Sequence, residues 1–266
     1  MPNLGLGTWR MGENAAARED EIAALKLGLD LGMRLIDTAE MYAAGGAEAV
    51  VAEAIEGRRE QVFLVSKVLP QNASYAGTLA ACDGSLQRLR VDRIDLYLLH
   101  WPGEHPLEET LRAFAVLCER GKIRHFGLSN FDLAELERAE GLPGGLDIAA
   151  NQVLYNLERR GIERMLIPWC ASRNIATMAY SPLEQGRLRP GASLRRVAER
   201  HDATPAQVAL AWTLRHDNVV SIPKAASRAH VRDNAKAADI VLTEEDLADI
   251  DRAHPPPARD VPLETL

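Results

Sequence analysis

Short apolar runs rich in branched residues alternate along the chain with longer stretches whose apolar positions recur every three or four residues. The short runs fall at 4–7, 34–37, 62–67, 94–100, 125–127, 148–152, 176–180 and 219–222, and their brevity predicts strands. Helices are expected at 20–31, where Ile22, Leu25 and Leu29 share a face, and at 47–55, 74–89, 107–120, 133–139 and 162–172. The stretch 193–214 reads as two helices, because Thr204 followed by Pro205 supplies an N-cap and a first-turn proline. Ser227 is expected to cap a helix reaching Ala237. Thr243 opens a last one with Glu244, Glu245 and Asp246 in its first turn, where acids meet the positive end of the helix dipole.

Most of these strands are apolar on both faces, as in a parallel sheet covered by helices. Strand ends recur about every 30 residues in the first half, the length of one βα unit. Periodicity leaves two architectures open, a closed barrel and an open doubly wound sheet. The length of 266 residues is that of one eight-fold barrel. No linker or low-complexity tract divides the chain, so one domain over 1–266 is expected. Prolines at 255, 256 and 257 end the last helix and make 254–266 an extended tail.

Polar residues stand where the apolar runs stop. Asp37 ends one, with Tyr42 in the following loop; Lys67 and His100 end the next two. Ser129 and Asn130, Gln152, Tyr180 and Ser181, and Lys224 follow at later strand ends. Any one of these is ordinarily a turn, packing or surface residue. Together, at the carboxyl ends of successive parallel strands, they face one way, and in a barrel that is the face where chemistry occurs. The set is chemically coherent. An ammonium from Lys67 favours phenolate at Tyr42 and is expected to lower a phenol pKa that is ordinarily near 10. A buried Lys67 needs a carboxylate, which Asp37 supplies. His100 is placed to bind a substrate carbonyl. Such a site donates a proton to an oxygen that becomes negative, and the hydride of a carbonyl reduction must come from a cofactor.

Charge narrows the partners. A formal net charge of -7 argues against nucleic acid or an acidic membrane surface as a general partner. Cys82, Cys118 and Cys170 are scattered and odd in number, which reads as reduced thiols in a reducing compartment. The opening MPNLGLGTWRMGE lacks the signature of a signal peptide, and no run approaches the length of a membrane span, so the cytoplasm is expected. His100, Glu104 and His105 lie on a loop with proline and glycine rather than one helix turn apart, and no metal site is expected there.

The segments GLGTW at 5–9, IDTAEMY at 36–42, VSK at 65–67, DLYLLHWP at 95–102, GLSNF at 127–131, NQVLYN at 151–156, AYSPL at 179–183 and SIPKA at 221–225 resemble the aldo-keto reductase family in order and along essentially the whole chain. The resemblance implies an α/β fold, a single-domain (β/α)8 barrel (TIM barrel), and a catalytic tetrad of Asp37, Tyr42, Lys67 and His100. It implies NADPH bound without a Rossmann domain, and NADH is a second candidate. The sequence agrees: Arg10 stands where the third glycine of a GxGxxG fingerprint would be, and no helix starts directly after Gly7.

By the family pattern Ser129, Asn130 and Gln152 hold the nicotinamide carboxamide and Tyr180 stacks under its ring. Ser181, Pro182, Leu183, Gln185 and Arg187 line the pyrophosphate loop, Lys224 meets the adenosine 2′-phosphate, and Asn234 reaches the adenine. Gly7, Thr8, Trp9, Asp37, Ile222, Pro223, Ala225 and Ser227 complete the expected cofactor set. Two departures bear on the phosphate. Ala225 stands where the family often has serine, and His230 stands where an arginine is expected, which leaves Arg228 and Arg232 as substitutes. Trp9, Met41, Tyr42, His100 and Trp101 are the expected substrate pocket. Only three residues precede the first strand and the C-terminal loop is short, which resembles a bacterial subgroup that reduces methylglyoxal and other small aldehydes. The resemblance thus implies a cytoplasmic, monomeric oxidoreductase acting on a small carbonyl compound. A non-catalytic NADPH-sensing subunit on the same fold and a Schiff-base enzyme using Lys67 are the alternatives.

Overall fold

The computed structural model describes residues 3–266. Eight strands follow one another as β1 (Gly5–Gly7), β2 (Leu35–Asp37), β3 (Phe63–Val68), β4 (Ile94–Leu99), β5 (Ile123–Ser129), β6 (Ile148–Leu154), β7 (Ala176–Tyr180) and β8 (Val219–Ser221). Each pairs in parallel with the next, in the order β1 to β8. The ring is closed by bridges from Leu4 to Ser221 and from Gly7 to Lys224, with Ser221 N donating to Asn3 O at 2.8 Å and Gly7 N to Pro223 O at 3.1 Å. The closed barrel is therefore the architecture present, and the open sheet is not.

The helices are α1 (Arg18–Asp30), α2 (Gly46–Ala54), α3 (Tyr75–Leu89), α4 (Leu107–Glu119), α5 (Leu133–Glu140), α6 (Leu166–Ser172), α7 (Ala192–Arg200), α8 (Pro205–Thr213), α9 (Arg228–Lys236) and α10 (Glu244–Ala253). The expected caps form. Thr204, Ser227 and Thr243 each accept a hydrogen bond from a backbone N–H three residues on, and Thr204 and Thr243 close full capping boxes with Gln207 and Asp246. The helix expected over 162–172 is shorter: a 3-10 turn covers Gly161–Glu163 and α6 begins only at Leu166.

The two-residue period of each strand builds the site. Leu35, Val65, Leu96, Leu98, Ala150, Met178, Val220 and Ile222 form a closed apolar cluster inside the ring. Alternate residues such as Leu64, Val68, Tyr97 and Leu99 pack outward under the helices. Two residues past an inner apolar position, the side chain returns to the inside one level higher. That step leads from Leu35 to Asp37, Val65 to Lys67, Leu98 to His100, Ala150 to Gln152 and Met178 to Tyr180. An apolar floor thus carries a polar storey at the carboxyl ends of the strands. β1 offers only glycines inward, and at Gly7 a Cβ would lie 2.8 Å from the Ile222 carbonyl oxygen, so the seam closes only around glycine.

Candidate active site

Asp37, Lys67, Tyr42 and His100 converge on this upper storey. Lys67 is fully buried and Asp37 is 2% exposed. Lys67 Nζ donates to Asp37 Oδ2 at 2.9 Å, to Thr38 O at 3.0 Å and to Tyr42 OH at 3.2 Å, which spends all three ammonium hydrogens. Tyr42 is aimed by an unusual backbone. It begins a short turn in which Ala43 and Ala44 both adopt left-handed φ values of 51° and 50°. Its ring meets that of His100 edge-on with centroids 5.8 Å apart, and His100 lies against Trp101 at 4.7 Å.

The electrostatics correct one expectation. Burial pushes the Tyr42 phenol above its ordinary value; Lys67 opposes this and Asp37 adds to it, so the net shift is upward. The expected net lowering does not occur because desolvation outweighs the ammonium. Burial pulls Lys67 down, but Asp37 and Tyr42 together outweigh it and hold the ammonium above its usual range. Burial and the Lys67 charge push His100 down to about 2, which makes it a neutral imidazole. Its Nδ1 is buried without a partner.

The residues expected to hold a nicotinamide adjoin the tetrad. Gln152 Nε2 donates to Asp37 Oδ1 at 2.7 Å, and Ser129 Oγ donates to the Gln152 carbonyl at 2.9 Å. Asn130, with φ 61°, donates through Nδ2 to His100 O at 3.1 Å and to Ser129 Oγ at 3.2 Å. The Tyr180 hydroxyl donates to Asn130 Oδ1 at 2.9 Å. Thr8 donates to the Asp37 carbonyl oxygen from both its N–H and its hydroxyl, and so locks β1 to β2 beneath the site. Glu40 accepts from Leu69 N at 2.7 Å and from Asn72 Nδ2 at 2.9 Å, bracing the loop after β3 against the Tyr42 loop.

The remaining expected cofactor residues form two separate groups. After β7, Ser181 and Gln185 take left-handed φ values of 48° and 55°; Pro182 is buried, Leu183 is half-buried, and Gln185 and Arg187 are exposed. After β8, Ile222 and Ala225 are buried in the seam, Pro223 supplies the carbonyl that Gly7 binds, and Lys224 is exposed. Arg228 and Arg232 lie exposed on α9, whose cap is Ser227, while Asn234 is buried. His230 spends its N–H on that cap at 3.3 Å. Trp9 is half-buried beneath the Arg10 guanidinium, 4.4 Å above its ring, and Met41 is 46% exposed at the mouth.

This donor set fits NADPH: uncharged amides and an unpartnered imidazole nitrogen beside the tetrad, with Lys224 before, and Arg228 and Arg232 on, the nine-residue helix α9. Sequence reasoning missed Asn156, Arg159 and Glu184. Asn156 Nδ2 donates to Ser181 O at 2.9 Å and to Glu184 Oε2 at 2.7 Å, and Arg159 lies 3.3 Å from Glu184 Oε1. Asn156 ends the NQVLYN segment, but nothing in the sequence pairs it with a turn 25 residues on.

Comparison with known proteins adds the lineage. The profile of the Aldo/keto reductase family matches residues 3–255. The methylglyoxal reductase YeaE of Escherichia coli is 51% identical, over 100% of this chain and 95% of its own length. The glyoxal reductase of Bacillus subtilis is 38% identical, over 94% of this chain and 88% of its own. An aldo/keto reductase of Klebsiella pneumoniae, crystallised with NADP and acetate, is 50% identical, with a TM-score of 0.98 covering 100% of this chain and 96% of that one. This chain belongs to the aldo/keto reductase family.

Proposed function

We propose that the protein is an NADPH-dependent reductase of small aldehydes and ketones, with methylglyoxal and related 2-oxoaldehydes as its substrate class. The observation that carries this is the buried chain from Asp37 through Lys67 to the Tyr42 hydroxyl, with a neutral His100 beside it. NADPH, when bound, supplies a hydride to the carbonyl carbon. Tyr42 keeps its proton at neutral pH, because its pKa is raised, and gives it to the carbonyl oxygen as negative charge builds there. Lys67, held charged by Asp37, stabilises the phenolate left behind. His100, neutral and lacking a partner at Nδ1, orients the carbonyl without adding a second charge. Ser129, Asn130, Gln152 and Tyr180 are assigned to the nicotinamide end, the 181–187 turn to the pyrophosphate, and Lys224 with Arg228 and Arg232 to the 2′-phosphate.

Substrate class is supported by the activities of the relatives, a methylglyoxal reductase and a glyoxal reductase, and by a pocket mouth at which Met41 is exposed and Trp101 half-buried. We read the chain as one functional domain working as a monomer in the cytoplasm; its three free cysteines suit a reducing compartment, and no described helix is long and apolar enough to cross a membrane. The test follows NADPH oxidation with methylglyoxal, glyceraldehyde, nitrobenzaldehydes and small ketones, for wild type and Tyr42→Phe. The variant should lose roughly 100- to 10,000-fold in kcat while NADPH binds unchanged. Full activity in Tyr42→Phe, or no turnover of any carbonyl by the wild type, refutes the reading.

A further inference from the structure

The turn after β7 holds a buried acid where a pyrophosphate is expected. Glu184 is 8% exposed and adopts φ 49°, so the turn has Ser181, Glu184 and Gln185 all in the left-handed region. Such backbone is costly and holds only where its surroundings fix it. Asn156 fixes one Glu184 oxygen at 2.7 Å and Arg159 meets the other at 3.3 Å.

The same Arg159 guanidinium also reaches the C-terminal tail, donating to Glu264 at 2.6 Å. That tail is tied down along its length. Arg160, which pairs with Asp251 of α10 at 2.7 Å, also donates to the His254 carbonyl, and Arg164 pairs with Asp260 at 2.6 Å. Leu263 packs against the core. One arginine thus joins the tail to the turn assigned to the pyrophosphate.

We propose that Arg159 is a positioning residue that couples the 181–187 turn to the 254–266 tail, so that cofactor occupancy and docking of the tail against the barrel reinforce each other. This rests on the cofactor reading above. The sign follows from the geometry. Arg159 neutralises Glu184, whose bare charge would repel incoming phosphates. Phosphates that fix the turn fix Glu184 and hence Arg159, and an arginine already immobilised loses less freedom in holding Glu264. By linkage, Glu264 must then raise cofactor affinity through Arg159.

The test measures NADPH affinity by calorimetry and amide hydrogen exchange of 254–266 with and without NADPH, in wild type, Glu264→Gln, Arg159→Gln and the double variant. In the wild type NADPH should slow exchange in the tail. Glu264→Gln, at an exposed position, should bind NADPH roughly two- to five-fold more weakly and lose most of that slowing. In the Arg159→Gln background Glu264→Gln should add nothing. Should Arg159→Gln fail to fold, Glu264→Gln alone decides. Tail exchange unaffected by NADPH, or unchanged NADPH affinity in Glu264→Gln, overturns the coupling. A wild type that does not bind NADPH refutes the cofactor reading instead.

Discussion

Replacing Asp37 with asparagine keeps the size of the side chain and removes its charge. Lys67 is then a buried ammonium whose remaining partners, Thr38 O and Tyr42 OH, are neutral. Breaking a buried ion pair by removing one partner costs about 3–5 kcal/mol. The lysine has one escape, which is to lose its proton. From an unfolded pKa of about 10.4, at roughly 1.36 kcal/mol per unit, deprotonation at pH 7 costs about 4.6 kcal/mol. The two routes cost the same, so Asp37→Asn should be destabilised by roughly 3–5 kcal/mol at pH 7, or about 6–20 °C in Tm. At pH 9 the neutral route costs only about 1.9 kcal/mol, and the deficit should shrink to about 2 kcal/mol. In the wild type the folded Lys67 pKa is raised. Its stabilisation is therefore complete below the unfolded pKa and fades only as pH climbs through the folded value. Urea unfolding of both proteins at pH 7 and pH 9 gives the comparison. A deficit under about 1 kcal/mol at pH 7, or one that does not change between the two pH values, refutes this account of the buried pair.

His100 has a folded pKa lowered to about 2, so the unfolded chain binds more protons below about pH 6.5 and stability falls on acidification. His100→Gln should remove a slope of about 1.4 kcal/mol per pH unit below 6.5, measured by unfolding at pH 4.5–6.5; equal slopes in the two proteins contradict the neutral buried imidazole. Gly7→Ala forces a Cβ to 2.8 Å from the Ile222 carbonyl oxygen and should cost about 1–3 kcal/mol in thermal unfolding, against no change if the seam gives way freely. Lys224→Ala should cut the NADPH-over-NADH ratio of kcat/KM about ten-fold or more, the worth of one charge-assisted hydrogen bond, and an unchanged ratio removes Lys224 from the phosphate site.

What could be read from the sequence was what local spacing controls. β4 is six buried residues in a row and was legible as a strand to within a residue. β5 extends two residues beyond the expected strand at each end; at its start the exposed Arg124 and His125 break the apolar run after Ile123. Asp37, Lys67 and His100 could be placed on one face because each follows an inner apolar position by two, whereas Tyr42 lies in the loop after β2 and only its nearness to Asp37 in sequence pointed to it. The Tyr42 pKa was not, since its sign depends on how burial weighs against Lys67, and burial is a property of the assembled storey. Arg159 was equally hidden: its partners lie 25 and 105 residues away on loops, where no periodicity links them.

The apolar floor beneath the tetrad has a kinetic consequence. Val65, Leu96, Leu98, Met178 and their neighbours lie beneath the tetrad as an apolar layer, and apolar side chains relay no proton. If Tyr42 gives one up at each turnover, its replacement arrives through the same doorway by which the product leaves. Recharging the acid and vacating the pocket are then not independent events but a queue at a single entrance.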